Sequence, residues 1–369
     1  MIKTIDDWLL KNLVDPIQKT PLSIEGNLLK STSGRTYPVV DGIPIMLVED
    51  ARQTISVAQQ SMDAASGAER GGRISDPYFI DTLGISESEK SNARSDIASG
   101  AIGTDPVIAA LVGATNGIAY KSSVNQLGRV PIPTIPAQIA LPPQGHVLDV
   151  GCNWGRWSMA LSNAGIPTIV GIDPSLGAVA AARRMAERMQ VNFIGVVGDA
   201  RYLPFADGSL SHAFSYSVLQ HFSRDDAKLA VAELARSVRE GGVVAVQMPN
   251  RWGIRCFLHQ AKRGFSDGSD FSVRYYSVAE LKSLFGKIGP VDISIDCFFG
   301  LGLQATDLDL MSPLAQNATR VSEWLKRTAG VKNSWAAQVA DSVWCRAENT
   351  GRSVSHSAGS FDKSAPGQH

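Results

Sequence analysis

The chain is 369 residues long, with 35 basic and 35 acidic side chains and 44% hydrophobic residues. That length accommodates about two domains and a large buried core. The charge balance excludes a protein that holds polyanions by bulk electrostatics, so no bulk nucleic-acid binding is expected. No apolar run reaches the ~18–20 residues of a membrane helix, and Met1 to Leu13 lacks the apolar core and cleavage site of a signal peptide. Cys152, Cys256, Cys297 and Cys345 lie far apart, which excludes CxxC metal ligation and a disulfide scaffold. The expectation is a cytoplasmic globular protein with no membrane partner and no metal.

Residues 1–50 read as a small self-contained block. An apolar helical start (Ile5, Trp8, Leu9, Leu10, Leu13) meets Pro16, and β-like runs follow at Leu22–Ile24 and Tyr37–Val40. Asp41-Gly42 is a tight-turn signal before Ile43–Leu47. Residues 51–76 shift to Ala, Gln, Ser, Gly and Arg, a helix fraying into a link, and 77–140 read as mixed helix and loop. Residues 51–140 together form a linker and cap.

From His146 the pattern becomes βαβ, the signature of a parallel sheet with helices on both faces. Strands are expected at His146–Val150, Thr168–Asp173, Asn192–Val197, Ala213–Ser217 and Val243–Met248. Helices are expected at Trp154–Asn163, Leu176–Met189 and Asp225–Arg239. Two insertions follow Asn250, with a helix at Val278–Lys287, a strand at Val291–Phe299 and a last edge strand at Asp341–Arg346. This domain occupies 141–349, and the Ser/Gly-rich tail 350–369 reads as disordered. The helical Arg183, Arg184 and Arg188 read as a solvated face.

The chemistry concentrates after the first of these strands, in Asp149-Val150-Gly151-Cys152-Asn153-Trp154-Gly155. An apolar strand runs through a glycine turn straight into a helix, so backbone N–H groups can approach a ligand. Asp173 ends the second strand 24 residues after Asp149, where neighbouring strand ends share one crevice and a carboxylate suits ribose hydroxyls. Asp199, with Ala200 beside it, ends the third, placed to accept from an exocyclic amine. A nicotinamide dinucleotide requires G-x-G-x-x-G, yet Asn153 and Arg156 stand at its second and third glycines. S-adenosylmethionine carries no phosphate and is the favoured nucleoside.

On these residues, on Gly198–Phe205, on Phe214–Phe222 and on Leu234–Gly242, the stretch from His146 to Asn250 resembles a class I S-adenosylmethionine-dependent methyltransferase, of the methyltransferase type 11 kind. The resemblance implies a doubly wound, Rossmann-like, seven-stranded sheet whose last strand inserts antiparallel. It also implies cofactor contacts at Gly151, Asp173 and Asp199, with Asp149, Asn153, Gly155 and Ala200 alongside. Asn153 departs from the family's usual glycine. Residues 9–18 and 37–47 resemble a small zinc-ribbon-like family, some of whose members partner and activate methyltransferases. Asp15-Pro16-Ile17-Gln18 stands where that family has Cys-Pro-x-Cys, so metal binding is not expected.

Several positions carry a plainer reading. Asp149 suits bracing of the turn more than cofactor contact, and Trp154 and Trp157 suit core packing as well as a wall of the cofactor site. His221, just past the fourth strand, is the candidate general base, set against a histidine satisfied in a corner. Tyr275 and Tyr276, in the first insertion, are candidate acceptor contacts from position alone. The expected activity is methyl transfer to an oxygen or nitrogen of a small molecule or saccharide intermediate. The alternative is a non-catalytic, methyltransferase-like scaffold or regulatory module.

Overall fold

The computed structural model describes residues 5–48, 56–69, 76–100, 105–115, 130–269, 271–300, 304–329 and 334–351. Most of the expected C-terminal tail, and part of the link after residue 48, lie outside the described residues.

The centre is a seven-stranded sheet in the order β10-β11-β9-β8-β5-β6-β7. Its strands are β5 (His146–Val150), β6 (Thr168–Asp173), β7 (Phe193–Val197), β8 (His212–Ser215), β9 (Val243–Pro249), β10 (Val291–Cys297) and β11 (Ser342–Glu348). β5 to β9 pair in parallel, and β11 runs antiparallel to both its neighbours. The middle strands are apolar on both faces (Val147, Leu148 and Val150 in β5; Val243 to Val246 in β9), as a sheet covered by helices on both sides demands. β11 is not an edge strand. Val343, Trp344 and Cys345 are all buried, so it fills the slot between β9 and β10 and leaves β10 outermost.

Helices α5 (Arg156–Asn163), α6 (Leu176–Met189) and α7 (Arg224–Ser237) connect the parallel strands. In α6, Ser175 caps the start by accepting from the Ala178 N–H at 3.0 Å, and Leu176, Val179, Ala182 and Met185 or Ala186 turn inward at helical spacing. Helices α2 (Val57–Glu69), α3 (Glu87–Ser99) and α4 (Pro106–Thr115) lie in the expected cap. The side chains of Val107, Leu111 and Ile80 pack with Ala178, Ala181 and Met185 in one cluster.

The N-terminal block holds α1 (Asp7–Asn12) and an antiparallel sheet of β1 (Leu22–Glu25), β2 (Leu28–Ser31), β3 (Thr36–Val40) and β4 (Ile43–Pro44). At the position of the missing cysteine pair sits Asp15, fully buried. Its carboxylate accepts from the Ile17 and Gln18 N–H groups, both at 2.8 Å, and from the Tyr37 hydroxyl at 3.1 Å. Burial alone would raise its pKa, but these donors hold it below the ordinary carboxylate value. A hydrogen-bonded carboxylate thus ties together the loop that a metal would otherwise tie.

The block is joined to the large sheet by main-chain bonds. Val14 N–H donates to the Pro204 carbonyl at 3.0 Å and Met46 N–H to the Val197 carbonyl at 2.7 Å, so the strip around Ile45 continues the β7 edge. Lys19 reaches across to the Leu203 carbonyl and Glu233, and the Trp8 ring stacks on His146. Two of the three helical arginines are engaged and do not form a solvated face: Arg183 binds Asp41 of the N-terminal block, and Arg184 binds Asp105 of the cap at 2.6 Å.

Candidate functional site

The strand order reverses between β5 and β8, both of which leave their C-terminal ends at one crevice. The turn after β5 closes on that crevice. Gly151 takes φ +70°, and a Cβ there would fall 2.2 Å from a Val218 methyl, so no other residue fits without moving the β8 outlet. Asn153 also adopts a left-handed conformation, φ 48°. Asparagine is among the few side chains that tolerate it, which explains how the turn keeps its path without the family's glycine. The Asn153 amide oxygen accepts from Trp154 N–H at 2.7 Å, and Gly155 N–H closes the loop on the Cys152 carbonyl.

Asp173 and this turn are in direct contact. The Asn153 N–H donates to Asp173 Oδ2 at 3.1 Å, and the Ser175 N–H donates to Oδ1 at 2.9 Å. The residue keeps a partly open edge, so its carboxylate has lone pairs left for a ligand. The loop beneath it is held by the cap: Ser61 donates to the Pro174 carbonyl and accepts from Leu176 N–H, while Thr82 accepts from Gly177 N–H. Asp149 lies buried under the turn, accepting from the Ser158 hydroxyl at 2.6 Å. Burial raises the Asp173 carboxyl to about 6. Burial, aided by the charge of Asp173, raises Asp149 to about 7.

Asp199 lies two residues past the end of β7, and its oxygens are occupied by Arg201. The backbone N–H of Arg201 donates at 2.9 Å, and its guanidinium grips both oxygens, at 2.6 Å for the shortest contact. The sequence contains the signal for this clamp, an arginine two residues beyond a capping aspartate, but gives it no partner. Trp154 and Trp157 are both core: Trp154 packs on α6, and Trp157 joins Phe214, Tyr216 and Trp344 in an aromatic cluster.

At the β8 outlet, His221 stacks on Phe271 with ring centroids 3.9 Å apart. Its Nδ1 donates to the Phe271 carbonyl at 2.9 Å, which leaves Nε2 as the acceptor, 3.3 Å from the Gln220 amide nitrogen. Burial lowers its pKa from the ordinary imidazole value, which disfavours the protonated ring. Tyr275 and Tyr276 are buried at the β9 outlet. Tyr275 hydrogen-bonds His259, and Arg224 lies over the Tyr276 ring. A cavity of about 300 Å³ opens elsewhere along the same edge, lined by Thr134, Gln138, Gln304, Thr306 and Lys326 among others. Gln304 connects it to the β8 outlet by donating to the Tyr216 hydroxyl at 3.1 Å.

Such a wound sheet, with its glycine turn and an acidic residue at the second strand's end, defines a class I S-adenosylmethionine-dependent methyltransferase domain, whose cofactor is S-adenosylmethionine. Comparison with known proteins agrees. A methyltransferase-domain family profile matches residues 147–242. The O-methyltransferase rstn1 of Aspergillus nomiae is 34% identical over 105 residues, covering 27% of this chain and 45% of that protein. The malonyl-[acyl-carrier protein] O-methyltransferase of Dechloromonas aromatica is 30% identical over 154 residues, covering 41% and 53%. The chain thus spans about half the length of these two relatives. A UPF0434 protein of Vesicomyosocius okutanii is 56% identical over 50 residues, 13% of this chain and 85% of that protein. A solved S-adenosylmethionine-dependent methyltransferase of Methanosarcina mazei aligns over 58% of this chain and 98% of its own at 16% identity, with a TM-score of 0.43. Residues 147–242 thus carry a methyltransferase domain, and a further segment of 50 residues belongs with the UPF0434 proteins.

Proposed function

We propose that the chain transfers a methyl group from S-adenosylmethionine to an oxygen or nitrogen of a small molecule or saccharide intermediate. One observation supports this reading most: two carboxylates, the buried Asp149 and the half-buried Asp173, meet at the glycine turn, and both are held above their ordinary pKa. Such a site favours a ligand that brings positive charge and hydroxyl donors and disfavours a pyrophosphate. The sulfonium nucleoside has both properties, and when bound it supplies an activated methyl group.

In this reading Asp173 takes the ribose hydroxyls, and Gly151, Asn153 and Gly155 shape the turn around the amino-acid end. Asp149 braces the turn through Ser158, while Asp199 and Ala200 border the adenine. The 300 Å³ cavity is proposed as acceptor space, built by the cap and the second insertion. Positioning the acceptor in line would supply most of the acceleration. His221, with Nε2 unprotonated, removes the acceptor proton where the acceptor keeps one at neutral pH. Tyr275 and Tyr276 border the approach.

Calorimetry with S-adenosylmethionine tests the reading. Micromolar binding is expected for the native chain, with at least tenfold weaker affinity in Asp173→Ala. Absence of binding at hundreds of micromolar would favour the scaffold alternative, and unchanged affinity in the variant would remove the site assignment.

A further inference from the structure

Helix α8 (Ile254–Lys262), the first element after β9, is inside out. It turns Cys256 and Gln260 toward the body, with Gly253 before it, and exposes Ile254 (53%), Phe257 (39%) and Leu258 (58%). Trp252 and Phe265 flank it, 51% and 57% exposed, and ring contacts run from Trp252 to Phe257 at 6.1 Å and on to Phe265 at 5.5 Å. An apolar face of this size, left in water, marks a docking surface. The orientation is fixed from beneath: Asp341 Oδ1 accepts from the Arg255 and Cys256 N–H groups at 2.7 and 2.9 Å.

Charge identifies the occupant. From Arg251 to Ser266 the chain carries Arg251, Arg255, Lys262 and Arg263, with His259, and no carboxylate, although the whole protein is neutral. Arg251 faces Glu280 at 3.7 Å and Arg263 donates to the Val273 carbonyl, so the exposed cations beside the apolar face are Arg255 and Lys262. Exposed aromatic and aliphatic residues with such cations match an anionic bilayer surface, where the rings enter the headgroup boundary and the cations stay at the phosphates. Helix α9 (Pro313–Ala329), in the second insertion, repeats the inversion. Thr319 and Ser322 are buried while Leu314 and Trp324 are exposed, with Arg320 and Arg327 on the same helix and its one carboxylate, Glu323, bonded to Lys326. Among the described residues no helix is long and apolar enough to cross a membrane, but lying on a surface requires no span.

We propose that α8 and its flanking aromatic residues dock this protein on an anionic membrane surface. Because α8 leaves the sheet at the C-terminal edge of β9, docking sets the crevice against the bilayer and presents it with an acceptor carried in or on the membrane. Only that last step rests on the methyl-transfer reading.

The test is co-sedimentation of the purified full chain with phosphatidylcholine vesicles, with and without phosphatidylglycerol. Binding is expected only with phosphatidylglycerol, reduced by salt, and at least tenfold weaker in Leu258→Glu and in the double variant Arg255→Glu/Lys262→Glu. Melting temperature checks that each variant folds, and the two variants alter different chemistry, so one suffices if the other does not fold. Three results would overturn the proposal: no vesicle binding at low salt, equal binding by both folded variants, or a self-associated wild type that Leu258→Glu dissociates in sedimentation velocity. No cofactor is present in this assay, so its failure is separable from a failure of S-adenosylmethionine binding.

Discussion

Helices α6 and α8 have the same kind of sequence and opposite placements. Each carries large apolar residues at helical spacing: Leu176, Val179 and, six residues on, Met185 in α6; Ile254, Phe257 and Leu258 in α8. In α6 that stripe is buried, Leu176 and Val179 in one cluster with Val197 of β7 and Met185 in another with Val107, Leu111 and Ile80 of the cap, whereas in α8 it faces outward and small or polar residues face in. Periodicity therefore specifies a helix with two faces, and only the neighbours decide which face is inside. α6 is threaded between two parallel strands, which leaves it one way to pack. α8 hangs from an insertion, and the backbone bonds to Asp341 set its rotation.

The sharpest way to break this comparison is a matched pair of truncations. Leu176→Ala should cost about 2–5 kcal/mol in chemical denaturation, as for a fully buried leucine. Leu258→Ala, over half exposed, should stay within about 0.5 kcal/mol. Equal costs would mean that α8 packs its apolar face inward in solution.

A smaller effect probes the N-terminal block, whose centre is polar where the core is apolar. Asp15→Ala removes the acceptor for two backbone N–H groups and the Tyr37 hydroxyl, all in a buried setting. A loss of about 1–3 kcal/mol is expected in thermal or chemical unfolding. A chelator should leave the wild-type melting temperature unchanged. A melting temperature that falls with chelator would show that the block holds a metal after all.

The core was legible because pattern and burial coincide there. Thr168–Asp173 and Leu176–Met189 fall where the apolar runs place them. The turn at Asn153 was legible only as a departure, since its left-handed backbone is a property of the fold and not of the residue type. Three features were not legible. Arg183 and Arg184 look like a polar helix face until Asp41 and Asp105, each far off in sequence, arrive beside them. Arg201 looks like any surface arginine until Asp199 is seen inside its guanidinium fork. β11 looks like an edge because it comes last, yet its slot between β9 and β10 is set by antiparallel pairing on both sides. For the two helical arginines and for β11 the deciding partner is distant in the chain and no local pattern carries that information, whereas the Asp199–Arg201 clamp is local, its two residues lying two apart.

The last prediction separates the crevice from the rest of the core by pH. Asp173 near 6 and Asp149 near 7 lie above the value of about 3.9 expected for an unfolded aspartate, with burial the leading cause for both. Between those limits the folded chain binds more protons than the unfolded one, so the contribution of this pair to stability falls as pH rises from about 4 to 7. A cationic ligand needs the same carboxylates ionised, so S-adenosylmethionine affinity should rise over the upper part of that window and level off above pH 8. The two trends run in opposite directions because one pair of groups drives both. Calorimetry should show affinity falling by about tenfold for each pH unit once a single carboxylate protonates. Asp173→Asn should flatten part of this dependence while weakening binding at every pH. An affinity independent of pH between 5.5 and 8 would mean that the ligand does not sense these carboxylates, and the crevice would then lose its claim to the cofactor.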